Sequence, residues 1–152
     1  MSEANRAAVE ALYTIFNGGD ATLLGHYMAE GCIDHEGLPG LDTDGPEGFK
    51  RTVAVMRFGF PDLNIEVLRV IEDGEMLAVH FRMTGTHKGL IMGIPPTVKP
   101  IDIEGMDVLR FEDGKAVERW GFWDRARLMQ QLGLLPPPRP VMMPPNLKPL
   151  GA

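Results

Sequence analysis

The sequence predicts an α+β domain, in which helices cover one face of a curved, mostly antiparallel sheet. Apolar residues recur at helical spacing between Ser2 and Phe60, whereas strand-like runs separated by short turns follow between Ile65 and Trp123. Helices that precede a meander of strands are typical of this class. The 152 residues are 44% hydrophobic and 24% charged, which is the length and composition of one folded domain.

Three helices are predicted before the strands begin. Ser2 can cap the first helix, and its apolar stripe has helical spacing. The second helix is short and starts at Asp20. A brief extended piece follows at Cys32–His35. The third helix carries Pro46 in its first turn, where proline is tolerated, and ends at Phe60.

Four strands and a last helix are predicted in the second half. The strands are rich in β-branched and aliphatic residues, and the sequence Asp113-Gly114 between the last two is a strong hairpin signal. The strands are Ile65–Ile71, Met76–Thr86, Ile101–Phe111 and Val117–Trp123. Asp124 can cap the last helix, which ends at Gly133.

The end of the chain is rich in proline. Seven of the 13 prolines lie between Pro136 and Pro149, and proline, which lacks an N–H, excludes a helix or a central strand there. Apolar residues such as Val141 argue against a freely solvated tail. We therefore expect one folded domain over residues 1–135 and an extended arm over 136–152, packed on its own or a neighbouring subunit.

Charge and composition exclude several classes of function. The net charge of −6 disfavours nucleic-acid binding, which depends on neutralising phosphates. No apolar stretch approaches the ~20 residues of a membrane span, and the N-terminus lacks the pattern of a secretory signal. We expect a cytoplasmic protein with no nucleic-acid or membrane partner. The single cysteine, Cys32, excludes an internal disulfide, and the histidines lack metal-binding spacing, so no metal is expected.

Short fragments that follow one another along the chain carry a family resemblance. They are Asp34-His35-Glu36, Gly45-Pro46-Glu47-Gly48-Phe49, Phe60-Pro61-Asp62-Leu63, Gly85-Thr86-His87-Lys88-Gly89, Gly93-Ile94-Pro95-Pro96-Thr97, Arg110-Phe111-Glu112-Asp113-Gly114-Lys115, Glu118-Arg119-Trp120, Asp124 and Gln131-Leu132-Gly133. The ordered set resembles the SnoaL-like polyketide cyclase, or ester cyclase, branch of the nuclear-transport-factor-2-like superfamily. Such a resemblance is more specific for fold than for reaction.

The resemblance implies a cone-shaped α+β barrel, whose helices and concave sheet enclose one apolar pocket. Family members include cofactor-free cyclases, isomerases, dehydratases and lyases, besides non-catalytic binding and assembly proteins. The cyclases use one pocket aspartate as general acid/base, at the position that aligns with Gly121 here. Glycine cannot transfer a proton, which favours lysis, dehydration or isomerisation over the aldol cyclisation of the family.

Three polar residues on adjacent predicted strands are candidates for the pocket. Alignment with the family implies that the faces carrying Asp107 and Gly121 look inward, so that Asp107, Arg119 and His80 would surround one cavity. Burial raises the pKa of a carboxyl group and lowers that of an imidazole, which suits a His–Asp pair to acid/base catalysis. Arg119 would stabilise developing negative charge. The alternative is that His80 and Asp107 are solvated surface residues.

Further candidates lie near the mouth of the pocket. Asp34 and His35 follow the second predicted helix, and either could exchange protons with a substrate. Asp124 is another acid/base candidate, but it is also well placed to cap the last helix. Three aromatic residues could stack on a flat substrate or belong to the core. They are Tyr13, Trp120 and Trp123.

The leading hypothesis is a cofactor-independent acid/base enzyme: a lyase, dehydratase, isomerase or cyclase of a small apolar, aromatic or polyketide-like molecule. The alternative is a non-catalytic protein of the same fold that binds a small ligand or acts in assembly. The resemblance also implies a homodimer or a dimer of dimers, formed through an apolar outer face of the sheet. This face would contain Val79, Phe81, Met106, Val108, Trp120 and Phe122.

Overall fold

The computed structural model describes residues 2–151 and confirms the α+β class. Three α-helices pack on a five-stranded sheet. In chain order the elements are α1 (Glu3–Phe16), a 3-10 turn (Leu24–His26), β1 (Met28–Asp34), α2 (Gly45–Gly59), β2 (Asn64–Asp73), β3 (Met76–Thr86), β4 (Pro100–Glu112), β5 (Lys115–Trp123) and α3 (Arg125–Gln131).

The two long helices begin and end as the sequence predicts. The Ser2 hydroxyl caps α1 by accepting a hydrogen bond from the N–H of Asn5 at 3.1 Å. Pro46 lies in the first turn of α2, where its missing N–H costs no hydrogen bond. Each helix buries an apolar stripe against the sheet, and Leu12 of α1 and Met56 of α2 are about 4% exposed.

The predicted second helix is wrong. Only a 3-10 turn forms after Asp20, and Met28 already begins β1. The Asp20 carboxylate accepts a hydrogen bond from the N–H of Thr22 at 2.9 Å, which favours a turn over a helix. Glycine at position 25 and threonine at position 22 add little helix propensity. β1 is therefore longer than the brief extended piece that the sequence predicts.

The strands have the order β1-β5-β4-β3-β2. β1 runs parallel to β5, whereas the other pairs are antiparallel. The sheet does not close into a barrel, since β1 and β2 form its two edges. Val79, Asp107 and Gly121 are cross-strand partners in the middle of the sheet, so these three positions share one face.

That face is the inner one, which packs against α1 and α2. Val79 and Phe81 of β3 are 0% and 7% exposed and belong to the core. Their predicted place on the outer face is wrong, because Val79 is paired with the inward Asp107. The outer face does expose apolar side chains, Phe122 at 61% and Met106 at 38%. Dimerisation through this face stays a prediction, which light scattering would check.

The segment that follows α3 has no regular structure, and no described residue after Leu132 is buried. Val141, for example, is 98% exposed. The packing of this arm on a neighbouring subunit remains a prediction. No helix within residues 2–151 combines the length and apolarity that a membrane crossing requires.

Candidate active site

A cavity of about 110 Å³ lies between α1, α2 and the inner face of the sheet. Most of its lining is apolar. These side chains are Leu12, Phe16, Met28, Leu38, Phe49, Met56, Ile65, Phe81, Met83, Leu109 and Trp123. The polar side chains of the lining are Tyr13, Asp34, Glu36, Thr52, Asp107 and Arg119. An apolar chamber with a few polar groups is the usual form of a small-molecule site.

Arg119 of β5 joins two carboxylates inside this cavity. Its Nη1 donates to Asp34 Oδ1 at 2.7 Å, and its Nη2 donates to Asp107 Oδ1 at 2.8 Å. Its Nε also donates to Asp107 Oδ1, at 3.2 Å. Burial alone would lower the pKa of Arg119, but the charges of Asp107 and Asp34 outweigh it and raise the pKa. The guanidinium therefore stays charged, and most of its N–H groups already have an acceptor.

Tyr13 of α1 completes the cluster from the opposite side. Its hydroxyl donates a hydrogen bond to Asp107 Oδ2, and the residue is only 8% exposed. Burial, together with the charge of Asp107 and this hydrogen bond, raises the pKa of Tyr13 well above its usual range. Tyr13 therefore remains a proton donor, and each oxygen of Asp107 accepts a hydrogen bond.

Gly121 provides the space in which Arg119 lies. It is the cross-strand partner of Asp107. A Cβ atom at this position would lie 2.0 Å from Arg119 Nη2 and 2.8 Å from Asp107 Oδ1. These distances are shorter than any van der Waals contact. A residue with a side chain at position 121 would therefore displace the guanidinium.

Five of the sequence-predicted site residues line the cavity: Tyr13, Asp34, Asp107, Arg119 and Trp123. The prediction placed Asp107 and Arg119 on adjacent strands around one cavity, and the structure has them there. The sequence offers Tyr13 as a stacking or a core residue and does not reveal its direct contact with Asp107.

The predicted place of His80 in this cavity is wrong. His80 is the cross-strand partner of Met106 and lies on the outer face, with Nε2 3.7 Å from Glu104 Oε1. Its neighbour Val79 is paired with the inward Asp107, so His80 must point the other way. It lines only a shallow outer groove.

His35 and Trp120 also lie outside the cavity. Because Asp34 points inward at the end of β1, the next residue points outward. His35 Nε2 is 2.6 Å from Glu118 Oε2, and its ring stacks on Trp120 with centroids 4.9 Å apart. Trp120 is thus not available to stack on a ligand inside the cavity.

Asp124 caps the last helix, which was the structural alternative to a role in acid/base catalysis. Its carboxylate accepts a hydrogen bond from the N–H of Arg127 at 3.0 Å and so caps α3. It borders the outer groove together with His80 and does not line the cavity.

Two polar residues of the lining were missed in the sequence. Glu36 is the second residue after β1, in the same fragment as Asp34. Thr52 comes three residues after Phe49 and four before Met56, so it lies on the inward stripe of α2. The spacing of Thr52 from Phe49 and Met56 therefore indicates, in the sequence alone, that Thr52 faces the cavity. The residues 2–151 hold no group of three or more side chains arranged to bind a metal ion.

The acid–arginine–tyrosine cluster therefore lies inside a mostly apolar cavity of an α+β fold. The model of the SnoaL-like polyketide cyclase family matches residues 6–132, and the chain belongs to this family. It is similar to the nogalonic acid methyl ester cyclase of Streptomyces nogalater, with 28% identity over 108 residues, which are 70% of this chain and 77% of that protein. The aklanonic acid methyl ester cyclase DnrD of Streptomyces peucetius is 26% identical over 108 residues, 70% of this chain and 72% of that protein.

Solved structures show the same fold. TsrD from Streptomyces laurentii superposes with a TM-score of 0.79 at 23% identity, over 89% of this chain and 99% of that one. IdmH from Streptomyces antibioticus superposes with a TM-score of 0.74 at 27% identity, over 87% and 99%. The fold and the family membership are thereby established, and the named relatives in sequence are cyclases.

Proposed function

We propose that this protein is a cofactor-independent cyclase of a polyketide-like ester and that Asp107 is its general acid/base. The observation that carries the proposal is the carboxylate of Asp107, which lies in a mostly apolar cavity between Tyr13 and Arg119. The cyclase names of the relatives support the reaction type.

Asp107 also resolves the difficulty raised by Gly121. Glycine at the position of the family's acid favours a reaction other than aldol cyclisation. However, Asp107 Oδ1 lies 2.8 Å from where a Cβ at position 121 would be. The carboxylate therefore reaches the region that a side chain from position 121 would occupy, and it can serve there as the base.

The proposed reaction is an intramolecular aldol addition. Asp107 removes a proton from a carbon next to a carbonyl group, and the enolate carbon attacks a ketone of the same molecule. One C–C bond forms, the ketone oxygen receives the proton, and the product is an isomer of the substrate. Once Asp107 is protonated, the Tyr13 hydroxyl can turn to the developing oxyanion, which hydrogen bonding stabilises.

The charges of the cavity favour an uncharged substrate. The lining contains three carboxylates, those of Asp34, Glu36 and Asp107, against one guanidinium. Arg119 is already held by Asp34 and Asp107 and cannot also clamp an incoming carboxylate. A free acid would be repelled, whereas an ester or a phenol would not.

Conversion of nogalonic acid methyl ester tests the proposal. The purified protein, with no cofactor added and with a chelator present, should give a product of unchanged mass, and the free acid should react far more slowly. The variant Asp107→Asn removes the proposed base, and Asp102→Asn is its control. The Asp102 carboxylate lies on the same strand as Asp107 but on the outer side, where it pairs with Arg82. If tryptophan fluorescence shows that the ester binds but no isomer forms above the buffer rate, the proposal is wrong and the chain is a ligand-binding protein.

A further inference from the structure

The pairing of β1 with β5 is interrupted in the middle of β1 and resumes at its end, where Ile33 and Asp34 pair with Glu118 and Arg119. Their paired positions step from Met28 with Ala116 directly to Ile33 with Glu118. Five residues of β1 thus pass beside two residues of β5, and the regular ladder is interrupted between them. The position of Asp34, the next residue, depends on the contacts made at this end of the strand.

His35 makes several of those contacts. Its N–H donates to the carbonyl oxygen of Arg119 at 2.9 Å. Its ring nitrogen Nε2 lies 2.6 Å from Glu118 Oε2, and the ring stacks on Trp120 with an interplanar angle of 11°. Glu118 is fixed in turn, since its Oε1 accepts a hydrogen bond from Arg110 Nε of β4 at 3.1 Å.

Two side-chain contacts therefore join this end of β1 to β5 on opposite faces of the sheet. Asp34 and Arg119 meet inside the cavity, while His35 and Glu118 meet outside. Each outer residue is the chain neighbour of an inner one, so a change of register would separate both pairs together.

We infer that His35 is a positioning residue, whose contacts with Glu118 and Trp120 on the outer face keep Asp34 in place against Arg119 inside the cavity. The inference rests on the proposed function of that cavity. The side chain of His35 is 37% exposed, and contacts between exposed polar side chains add little to stability. Its effect is therefore on the geometry of the inner pair.

The test compares His35→Ala with a matched control on the same outer face. Arg82→Gln removes the ion pair of Arg82 with Asp102, whose Nε–Oδ1 distance is 2.8 Å and which joins β3 to β4 away from Asp34. Two readouts are needed: the rate of ester conversion, and NMR of the arginine side chains. In the wild type the two Nη groups of Arg119 should give separate signals, because a different carboxylate holds each.

We expect His35→Ala to merge or shift the Arg119 signals and to lower kcat by about 10- to 100-fold with little change in KM, since misplacement by about 1 Å has effects of this size. Arg82→Gln should change neither readout. His35→Gln keeps a side-chain N–H for Glu118 and should restore most of both. If His35→Ala leaves the Arg119 signals as they are in Arg82→Gln, the inference is wrong. If the signals change but no form of the protein converts the ester, the proposed function fails and the positioning role stands.

Discussion

The substitution Gly121→Ala tests whether the cavity is built around Arg119. The added Cβ would lie 2.0 Å from Arg119 Nη2 and 2.5 Å from its Cζ. Since carbon and nitrogen atoms need roughly 3.5 Å, the guanidinium must retreat by about 1 to 1.5 Å. The long side chain can do so without moving the backbone, so the fold should persist.

The retreat would break the contacts of Arg119 with Asp107, which are now 2.8 and 3.2 Å long. A hydrogen bond to a charged group contributes about 1.5–3 kcal/mol, and the crowding itself costs a similar amount. We therefore expect the free energy of unfolding to fall by about 3–6 kcal/mol. Ester conversion should slow by about 100-fold, because Asp107 loses its orientation.

Urea unfolding and the rate of ester conversion would measure both effects. Gly31→Ala is the matched control, because Gly31 lies in β1 and a Cβ there would meet nothing within 4 Å. That control should change stability by no more than about 1 kcal/mol. Equal behaviour of Gly121→Ala and Gly31→Ala would refute the steric argument.

Three further predictions concern ionisable groups. Burial raises the pKa of Cys32 to about 11, so its thiol should react with a disulfide reagent near pH 8 only after unfolding, and fast reaction in buffer would contradict this. The hydrogen bond with His35 lowers the pKa of Glu118 in the folded protein. A carboxyl group whose pKa is lowered in the folded protein stabilises the fold at pH values above its unfolded pKa, and this stabilisation is lost as the pH falls. The urea midpoint should therefore fall in acid, and Glu118→Gln should make that fall smaller. Burial and the charge of Asp107 keep Tyr13 protonated, so Tyr13→Phe should lower kcat about tenfold without changing the alkaline limb of the pH profile; loss of that limb would indicate that Tyr13 ionises.

The positions of β2 to β5 were predictable from local signals, whereas the length of β1 and the turn that replaces the predicted helix after Asp20 were not. Residues 72–74 and the hairpin at Asp113-Gly114 bound the strands, and both residues of this hairpin have the positive φ of a tight turn. The stretch after Asp20 is short and weak in helix propensity, so the side-chain hydrogen bond to Thr22 decides its structure.

The inward placement of Asp107 and Arg119 came from the family resemblance and not from a local signal. Counted from the tight turn at Glu112 and Lys115 alone, Asp107 would pair with Trp120, but a register shift between Arg110 and Phe111 makes Gly121 its partner. A long loop joins β3 to β4, so the sequence does not determine which residues of β3 face inward. For this reason the predicted position of His80 was wrong. The contact of Tyr13 with Asp107 joins residues 94 positions apart. It depends on how α1 packs on the sheet, which no local pattern reports.

The rate of nogalonic acid methyl ester conversion by Asp107→Asn tests the central claim most directly. Asparagine has the same shape but cannot take up the proton. If Asp107 is the acid/base, kcat should fall by about 100- to 10,000-fold, while the ester still quenches the tryptophan fluorescence at a similar concentration. A variant that cyclises the ester at the wild-type rate would contradict the account.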